Sequence, residues 1–183
     1  MDGTPGALML PVRGSSTSLS RSGEGDKGAG TNVTALGSFT LAERDLLVRL
    51  PRWIVGAASA VQPDNATRTH RELEAGFLAV ANGRLAGDPF LTEVANGSLA
   101  IFDEEGPVDT AGVDAVLEKA GDAWRLLRAR VTAAEAVAYA RWLLDITDEV
   151  INAARSDGVL GVGGVLVTPA EQRFRDRLAL VLA

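Results

Sequence analysis

The sequence predicts an all-α protein, a single-domain bundle of six or seven helices behind a disordered N-terminal tail. Three capping boxes, each a threonine followed three residues later by a glutamate, mark helix starts at Thr40, Thr132 and Thr168. Between these starts, apolar residues recur with the period of an α-helix. Hydrophobic residues make up 46% of the 183-residue chain, which is enough to bury one core.

Residues 1–38 are the predicted tail. They are rich in Gly, Ser and Thr and have no apolar period. Such a segment cannot bury enough surface to offset the entropy lost on ordering, so we expect it to be disordered and dispensable for stability. The helical domain is accordingly predicted to cover residues 39–183.

The start of this domain predicts two consecutive helices. A short helix follows the capping box at Thr40, and Pro51 then suits the first turn of a second helix, where a missing amide hydrogen is tolerated. Residues 53–61 carry no charge. Because a helix that is apolar all round is a buried one, we expect the second helix at the centre of the bundle, with Trp53 in the core.

Two further helices are expected before an exposed turn at residues 103–107. The third helix spans residues 69–82. Its expected buried stripe comprises Leu73, Phe77 and Val80. A short fourth helix begins at Asp88 and is closed by Gly97, because glycine favours the left-handed conformation that ends many helices.

The second half of the domain predicts three more helices. The fifth begins at residue 109 or 110, and Gly121 is expected to weaken or kink it. The longest helix covers residues 133–155. The final helix covers residues 169–182 and begins with a proline, as helix first turns often do.

Acidic residues cluster on one face of the longest helix. At about 100° per residue, Asp145, Asp148 and Glu149 fall within a narrow arc opposite the apolar positions. The pattern predicts a solvent-exposed acidic face, whereas Trp142 on the same helix is expected in the core. A buried and paired Asp148 would instead make the cluster a candidate for metal or acid–base chemistry.

Composition excludes several classes of protein. The formal net charge is −6 and the pI is about 4.8, so the chain lacks the basic footprint of a nucleic-acid-binding or membrane-surface protein. It has no cysteine and one histidine, which excludes disulfides, thiolate ligands and any site that needs two histidines from one chain. No apolar run approaches the roughly 18 residues of a membrane span, and we expect a cytoplasmic protein.

Two groups of residues are candidates for chemistry. His70 and Glu74, four residues apart on one helix face, fit an acid–base pair or two metal ligands, but they equally fit a histidine at the edge of the packed face. The glycine-rich segment 158–164 precedes a helix N-terminus, which can receive an anion, yet it lacks the Gly-Lys-Ser/Thr ending of a phosphate-binding loop. We interpret this segment as a connection that packs on the bundle.

The C-terminal part of the chain resembles two groups of proteins. Residues 160–171 resemble the Leu-Gly-x-Gly-Gly-x-x-Val-Ser/Thr-x-x-Glu signature of uncharacterised bacterial all-helical proteins. More distantly, Asp157-Gly158 and the motif that ends in Glu171 are similar to the Asp-Gly…Ser-x-x-Glu turn of TerB-like tellurite-resistance domains. That resemblance implies an all-helical fold and a divalent metal held by Asp157 and Glu171. Residues 159–167 separate the two halves here, whereas the TerB-like turn is tight.

The sequence leads to three functional hypotheses. The first is a non-enzymatic, cytoplasmic interaction or stress-associated protein without a cofactor, which acts through a helix groove, a dimer face or a bound small ligand. The second is a TerB-like domain that binds a divalent metal through Asp157 and Glu171. Asp64 or Glu74 would then supply a further ligand. The third, an enzyme and the less favoured class, is a small hydrolase that uses His70 with carboxylates. Protein partners or self-association fit the first hypothesis, and nucleic-acid or membrane partners are not expected.

Overall fold

The computed structural model describes residues 34–61, 66–106, 108, 112–153 and 167–183. Helices account for 87% of these residues, and no β-strand occurs among them. The described α-helices are α1 (Leu41–Ala60), α2 (Ala66–Asn82), α3 (Pro89–Glu105), α4 (Val113–Arg130), α5 (Ala133–Ala153) and α6 (Pro169–Val181). The predicted all-α fold is therefore confirmed. None of these helices combines the length and the apolar character needed to cross a membrane.

Local capping interactions start three of the helices at the predicted places. In each, a threonine hydroxyl accepts a hydrogen bond from the backbone N–H of a glutamate, and the glutamate carboxylate accepts one from the backbone N–H of the threonine. The pairs are Thr40 with Glu43 at α1, Thr132 with Glu135 at α5, and Thr168 with Glu171 at α6. Asp88 caps α3 through a hydrogen bond of 2.9 Å from the N–H of Leu91.

Helix α1 occupies the centre of the bundle and contacts α2, α3, α4 and α5. Side chains on every side of its second half are buried, as the uncharged segment 53–61 predicts. Trp53 is an exception, because it is half-buried and packs at the edge of the core. The prediction that Trp53 is a core residue is therefore wrong.

Helix α1 also runs through Pro51 without interruption, so the predicted helix start at this residue is wrong. A proline inside a helix leaves the carbonyl four residues earlier without its usual amide donor. Here that carbonyl belongs to Leu47, and it accepts a hydrogen bond of 2.8 Å from the hydroxyl of Tyr139 on α5. A tertiary contact thus replaces the missing helical bond.

Two glycines that were expected to end or weaken helices lie inside them. Helix α3 continues through Gly97 to Glu105, which makes most of the predicted turn at residues 103–107 helical. A Cβ atom on Gly97 would come within 2.8 Å of a methyl group of Val48 on α1, so the glycine serves a close helix contact rather than a turn. Gly121 likewise lies within the uninterrupted helix α4.

Helices α2 and α5 run antiparallel, since Gly76 lies against Val150 and Gly83 lies against Trp142. A Cβ atom on Gly76 would come within 2.6–2.8 Å of the methyl groups of Val55 on α1 and of Val150. The absence of a side chain therefore allows three helices to approach closely at this point.

The buried face of α2 differs from the predicted stripe. It consists of Glu72, Gly76, Ala79 and Val80. Of the predicted stripe residues only Val80 is buried, while Leu73 is half-buried and Phe77 is 37% exposed. Small side chains face the core because α2 packs so close to α1 and α5, and the larger apolar residues are displaced to the edge.

Residues 34–38 pack on the bundle, although their composition placed them in the tail. Leu36 is buried in the short 3-10 helix Leu36–Ser38. The carboxylate of Glu135 accepts hydrogen bonds of 2.9 and 3.0 Å from the N–H and hydroxyl of Thr34, and Glu93 accepts one of 2.6 Å from the N–H of Leu36. The packed part of the chain therefore begins by Thr34, ahead of the predicted boundary. Residues 1–33 lie outside the described residues.

Candidate functional site

A groove with a volume of about 460 Å³ lies between the C-terminal part of α2 and the middle of α5. Its apolar lining comes from Ala79, Gly83, Ala86, Leu91, Ala138 and Trp142. Its polar lining comes from Asn82, Arg141, Asp145, Asp148 and Glu149. Pockets of roughly 300–1,000 Å³ that combine an apolar surface with a few polar groups are typical of ligand sites.

The contact between Trp142 and the end of α2 forms the base of the groove. Trp142 is 5% exposed, in agreement with the prediction that it is a core residue. Its indole N–H donates a hydrogen bond of 3.2 Å to the carbonyl of Ala79. A Cβ atom on Gly83 would come within 2.7 Å of the indole, so only glycine lets the chain pass this close.

One face of α5 supplies the charged wall of the groove. Arg141, Asp145, Asp148 and Glu149 follow the three- and four-residue spacing that aligns side chains on a helix. Asp145 and Glu149 are exposed, as predicted, but Asp148 is half-buried. Its two oxygens accept hydrogen bonds of 3.1 and 3.3 Å from the guanidinium of Arg175 on α6. Asp148 is therefore paired but not buried, since its side chain is 41% exposed, and the predicted solvent-exposed face holds fully only at Asp145 and Glu149.

The pKa of Asp145 reflects its charged neighbours in the groove. Partial burial and the nearby Asp148 carboxylate raise the pKa of Asp145, and Arg141 offsets part of this effect. Among the lining residues, three carboxylates face the single positive charge of Arg141. Because Arg175 pairs with Asp148, the carboxylates of Asp145 and Glu149 share only Arg141, which leaves one excess negative charge that a bound cation would neutralise.

The candidate residues His70 and Glu74 lie on the exposed face of α2. Arg68 lies two positions before His70, and Glu72 lies two positions before Glu74. Because the helix turns about 100° per residue, Arg68 and Glu72 point towards the opposite side of α2. Within the part of the chain that the structure describes, no group of three histidine or acidic side chains is arranged to hold a metal ion. Asp64, Asp157 and the segment 158–164 lie outside the described residues.

Glu171, the remaining candidate metal ligand, is 3% exposed and already has two partners. One carboxylate oxygen accepts a hydrogen bond of 2.6 Å from the N–H of Thr168. The other carboxylate oxygen lies 3.8 Å from a terminal guanidinium nitrogen of Arg68. The Nε of Arg68 in turn lies 3.3 Å from a carboxylate oxygen of Glu72. This charged cluster joins α2 to α6.

Arg68, Glu72 and Arg175 are charged residues that sequence reasoning did not single out. The four-residue spacing of Arg68 and Glu72 is visible in the sequence, but it predicts an ordinary surface pair. Their burial, and the approach of Arg175 to Asp148, depend on where α6 packs. No local pattern carries that information.

No protein-family model matches the chain, and comparisons with curated proteins and with solved structures find no match either.

Proposed function

We propose that the protein is a non-enzymatic binding module whose α2–α5 groove receives an arginine or lysine side chain from a partner protein. The observation that carries this proposal is the combination of three carboxylates with an apolar base in a groove of about 460 Å³. This combination makes the interaction hypothesis specific, because it indicates which surface would bind a partner and which chemical group that surface would recognise.

The groove matches the two parts of a long cationic side chain. Lysine and arginine have an apolar stem and a charged head, and the stem gains from contact with apolar surface. Ala86 and Ala138 line the groove and offer such surface, because neither is buried. The carboxylates of Asp145 and Glu149 are exposed and can accept charge-assisted hydrogen bonds from the head.

The electrostatics of the groove also favour a cation. Repulsion from Asp148 contributes to the raised pKa of Asp145, which means that the two negative charges disfavour each other. A cation placed between them would relieve this repulsion. Binding would therefore weaken as the pH falls and Asp145 becomes protonated.

The other two hypotheses have less support from the described residues. In the TerB-like hypothesis Glu171 binds a metal, but its carboxylate already caps α6 and faces Arg68. In the hydrolase hypothesis His70 is catalytic, but this residue is exposed and does not line the groove. A cytoplasmic location stays a prediction.

Binding of a fluorescein-labelled tetra-arginine peptide, followed by fluorescence anisotropy, tests the proposal. Asp145→Asn and Glu149→Gln are each expected to weaken binding by about five- to tenfold, the loss of one charge-assisted hydrogen bond. Ala138→Phe should also weaken binding, because it fills the groove without changing the charge.

Glu118→Gln is the matched control, since Glu118 is exposed on α4 and does not line the groove. It removes the same charge and should leave the affinity unchanged. Equal effects of Glu118→Gln and Asp145→Asn would indicate only general attraction to an acidic protein, and the proposal would be rejected. Stabilisation by Mg²⁺ or Ca²⁺ without peptide binding would favour the metal hypothesis instead.

A further inference from the structure

Asp148 belongs both to the groove and to the contact between α5 and α6. Its side chain lines the groove, and its two oxygens accept hydrogen bonds from Arg175 at 3.1 and 3.3 Å. A fork-shaped pair of this kind engages both carboxylate oxygens with one guanidinium. When a cation enters the groove beside Asp145, the nearby Asp148 carboxylate is therefore already hydrogen-bonded to Arg175.

Helix α6 combines a short apolar contact with ion pairs to three other helices. Its buried core residues are Phe174 and Leu178, and Leu182 at its C-terminal end is buried as well. Its charged side chains reach α2 through Glu171, α5 through Arg175 and α4 through Arg177. The side chains of the Arg177–Asp114 pair are 55% and 87% exposed, so this pair contributes little, whereas those of the Arg175–Asp148 pair are 36% and 41% exposed. Loss of the Arg175–Asp148 pair should therefore loosen α6 while the rest of the bundle stays folded.

We propose that occupancy of the groove and docking of α6 are coupled through Asp148. A cationic side chain in the groove competes with Arg175 for the Asp148 carboxylate, so binding weakens the attachment of α6 to α5. Thermodynamic linkage requires the reverse effect as well, so loss of the Arg175 contact strengthens cation binding. This inference rests on the proposed function of the groove and adds a means of regulating it.

The size of the coupling follows from the exposure of the pair. The side chains of Arg175 and Asp148 are 36% and 41% exposed, so solvent screens their attraction. We expect a change of about two- to fivefold in the dissociation constant of a cationic peptide, the range typical of a partly exposed ion pair.

A double-mutant cycle on the full-length chain tests the coupling, with the tetra-arginine peptide as the probe. Arg175→Gln should tighten peptide binding in the wild-type background and have no effect in the Asp148→Asn background, because it acts through that carboxylate. Arg177→Gln is the matched control on the same helix, since it removes the same charge from a pair with Asp114. It should leave the affinity unchanged at physiological salt.

Hydrogen exchange gives the second readout. Peptide addition to the wild-type protein should accelerate amide exchange in α6, and it should not do so in Arg175→Gln. If the peptide binds through Asp145 but Arg175→Gln and Arg177→Gln alter the affinity equally, or if exchange in α6 is unchanged, the coupling is overturned and the proposed function stands. If the wild-type protein does not bind the peptide, or if Asp145→Asn does not weaken binding, both are overturned.

Discussion

The hydroxyl of Tyr139 donates a hydrogen bond of 2.8 Å to the backbone carbonyl of Leu47. In a regular helix this carbonyl would accept from the N–H of residue 51, but Pro51 has none. Tyr139 is fully buried, and burial raises the pKa of its phenol, so the hydroxyl keeps its proton. A side chain of α5 thus compensates for the proline within α1 and fixes the two helices to each other.

The first prediction concerns this bond. Tyr139→Phe should lower the free energy of unfolding by about 1–3 kcal/mol, because it leaves a buried carbonyl without a donor. In a Pro51→Ala background the backbone N–H is restored, so the same substitution should cost less. Urea denaturation of the four proteins measures the difference. Equal costs in both backgrounds would show that the tyrosine acts only through packing.

The second prediction compares two glycines within helices. Gly76→Ala should destabilise the protein by about 1–3 kcal/mol, because its Cβ would overlap the methyl groups of Val55 and Val150. Gly121→Ala should stabilise it by up to about 1 kcal/mol, the difference in helix propensity, since its Cβ would meet only Val181 at 3.5 Å. Thermal unfolding followed by circular dichroism gives both values, and a gain of stability in Gly76→Ala would contradict the close packing of α1, α2 and α5.

The third prediction concerns the carboxylate that holds Thr34. Burial alone would raise the pKa of Glu135, but hydrogen bonds from Thr34 and Thr132 outweigh this effect and lower it below its ordinary value of 4.5. A lowered pKa in the folded state stabilises the protein above pH 4.5, and this contribution is lost as the pH falls through the lowered value.

Glu135→Gln should therefore cost about 1–3 kcal/mol at neutral pH, typical of hydrogen bonds to a charged group. The difference from the wild-type protein should shrink in acid. Urea denaturation from neutral pH down to below pH 4 gives the comparison, and a constant difference would mean that the carboxylate charge is not involved. A chain that starts at residue 39 should be destabilised in the same way at neutral pH, whereas one that starts at residue 34 should not.

The fourth prediction separates the two tryptophans. Trp142→Ala should cost about 3–5 kcal/mol, as expected for a large buried aromatic residue, whereas Trp53→Ala should cost less because Trp53 is half-buried. Trp142→Phe keeps an aromatic ring but removes the donor to Ala79, so about 1 kcal/mol of its cost should reflect that bond. Chemical denaturation measures all three, and similar costs for the two alanine variants would contradict the burial of Trp142 at the groove.

The fifth prediction tests whether Glu171 is structural or a metal ligand. Glu171→Ala should destabilise the protein by about 2–5 kcal/mol, because it removes a buried carboxylate that accepts a hydrogen bond from the N–H of Thr168 and faces Arg68. EDTA should leave the melting temperature of the wild-type protein unchanged. A drop with EDTA in the wild-type protein that is missing in Glu171→Ala would favour the divalent-metal hypothesis.

The sequence predicted the elements of the fold better than the site. The capping boxes at Thr40, Thr132 and Thr168 start helices as expected, because each box joins residues only three apart. The acidic face of α5 was found by its period, but its role as a groove wall was not. That role depends on Gly83, just after the end of α2, and on Arg175, which pairs with Asp148, and both are distant from α5 in the sequence.

Local chemistry therefore determined that the chain is helical and where helices begin, since caps and apolar periods act over one or two turns. Tertiary structure decided where the helices continue and what they enclose. Pro51 and Gly97 look like helix boundaries when only their neighbours in the sequence are considered. The hydrogen bond that Pro51 cannot donate to Leu47 comes from Tyr139, 92 residues after Leu47. Val48 occupies the space beside Gly97. A sequence pattern within one helical turn cannot predict a hydrogen-bond donor or a methyl group that comes into contact only when distant segments fold together.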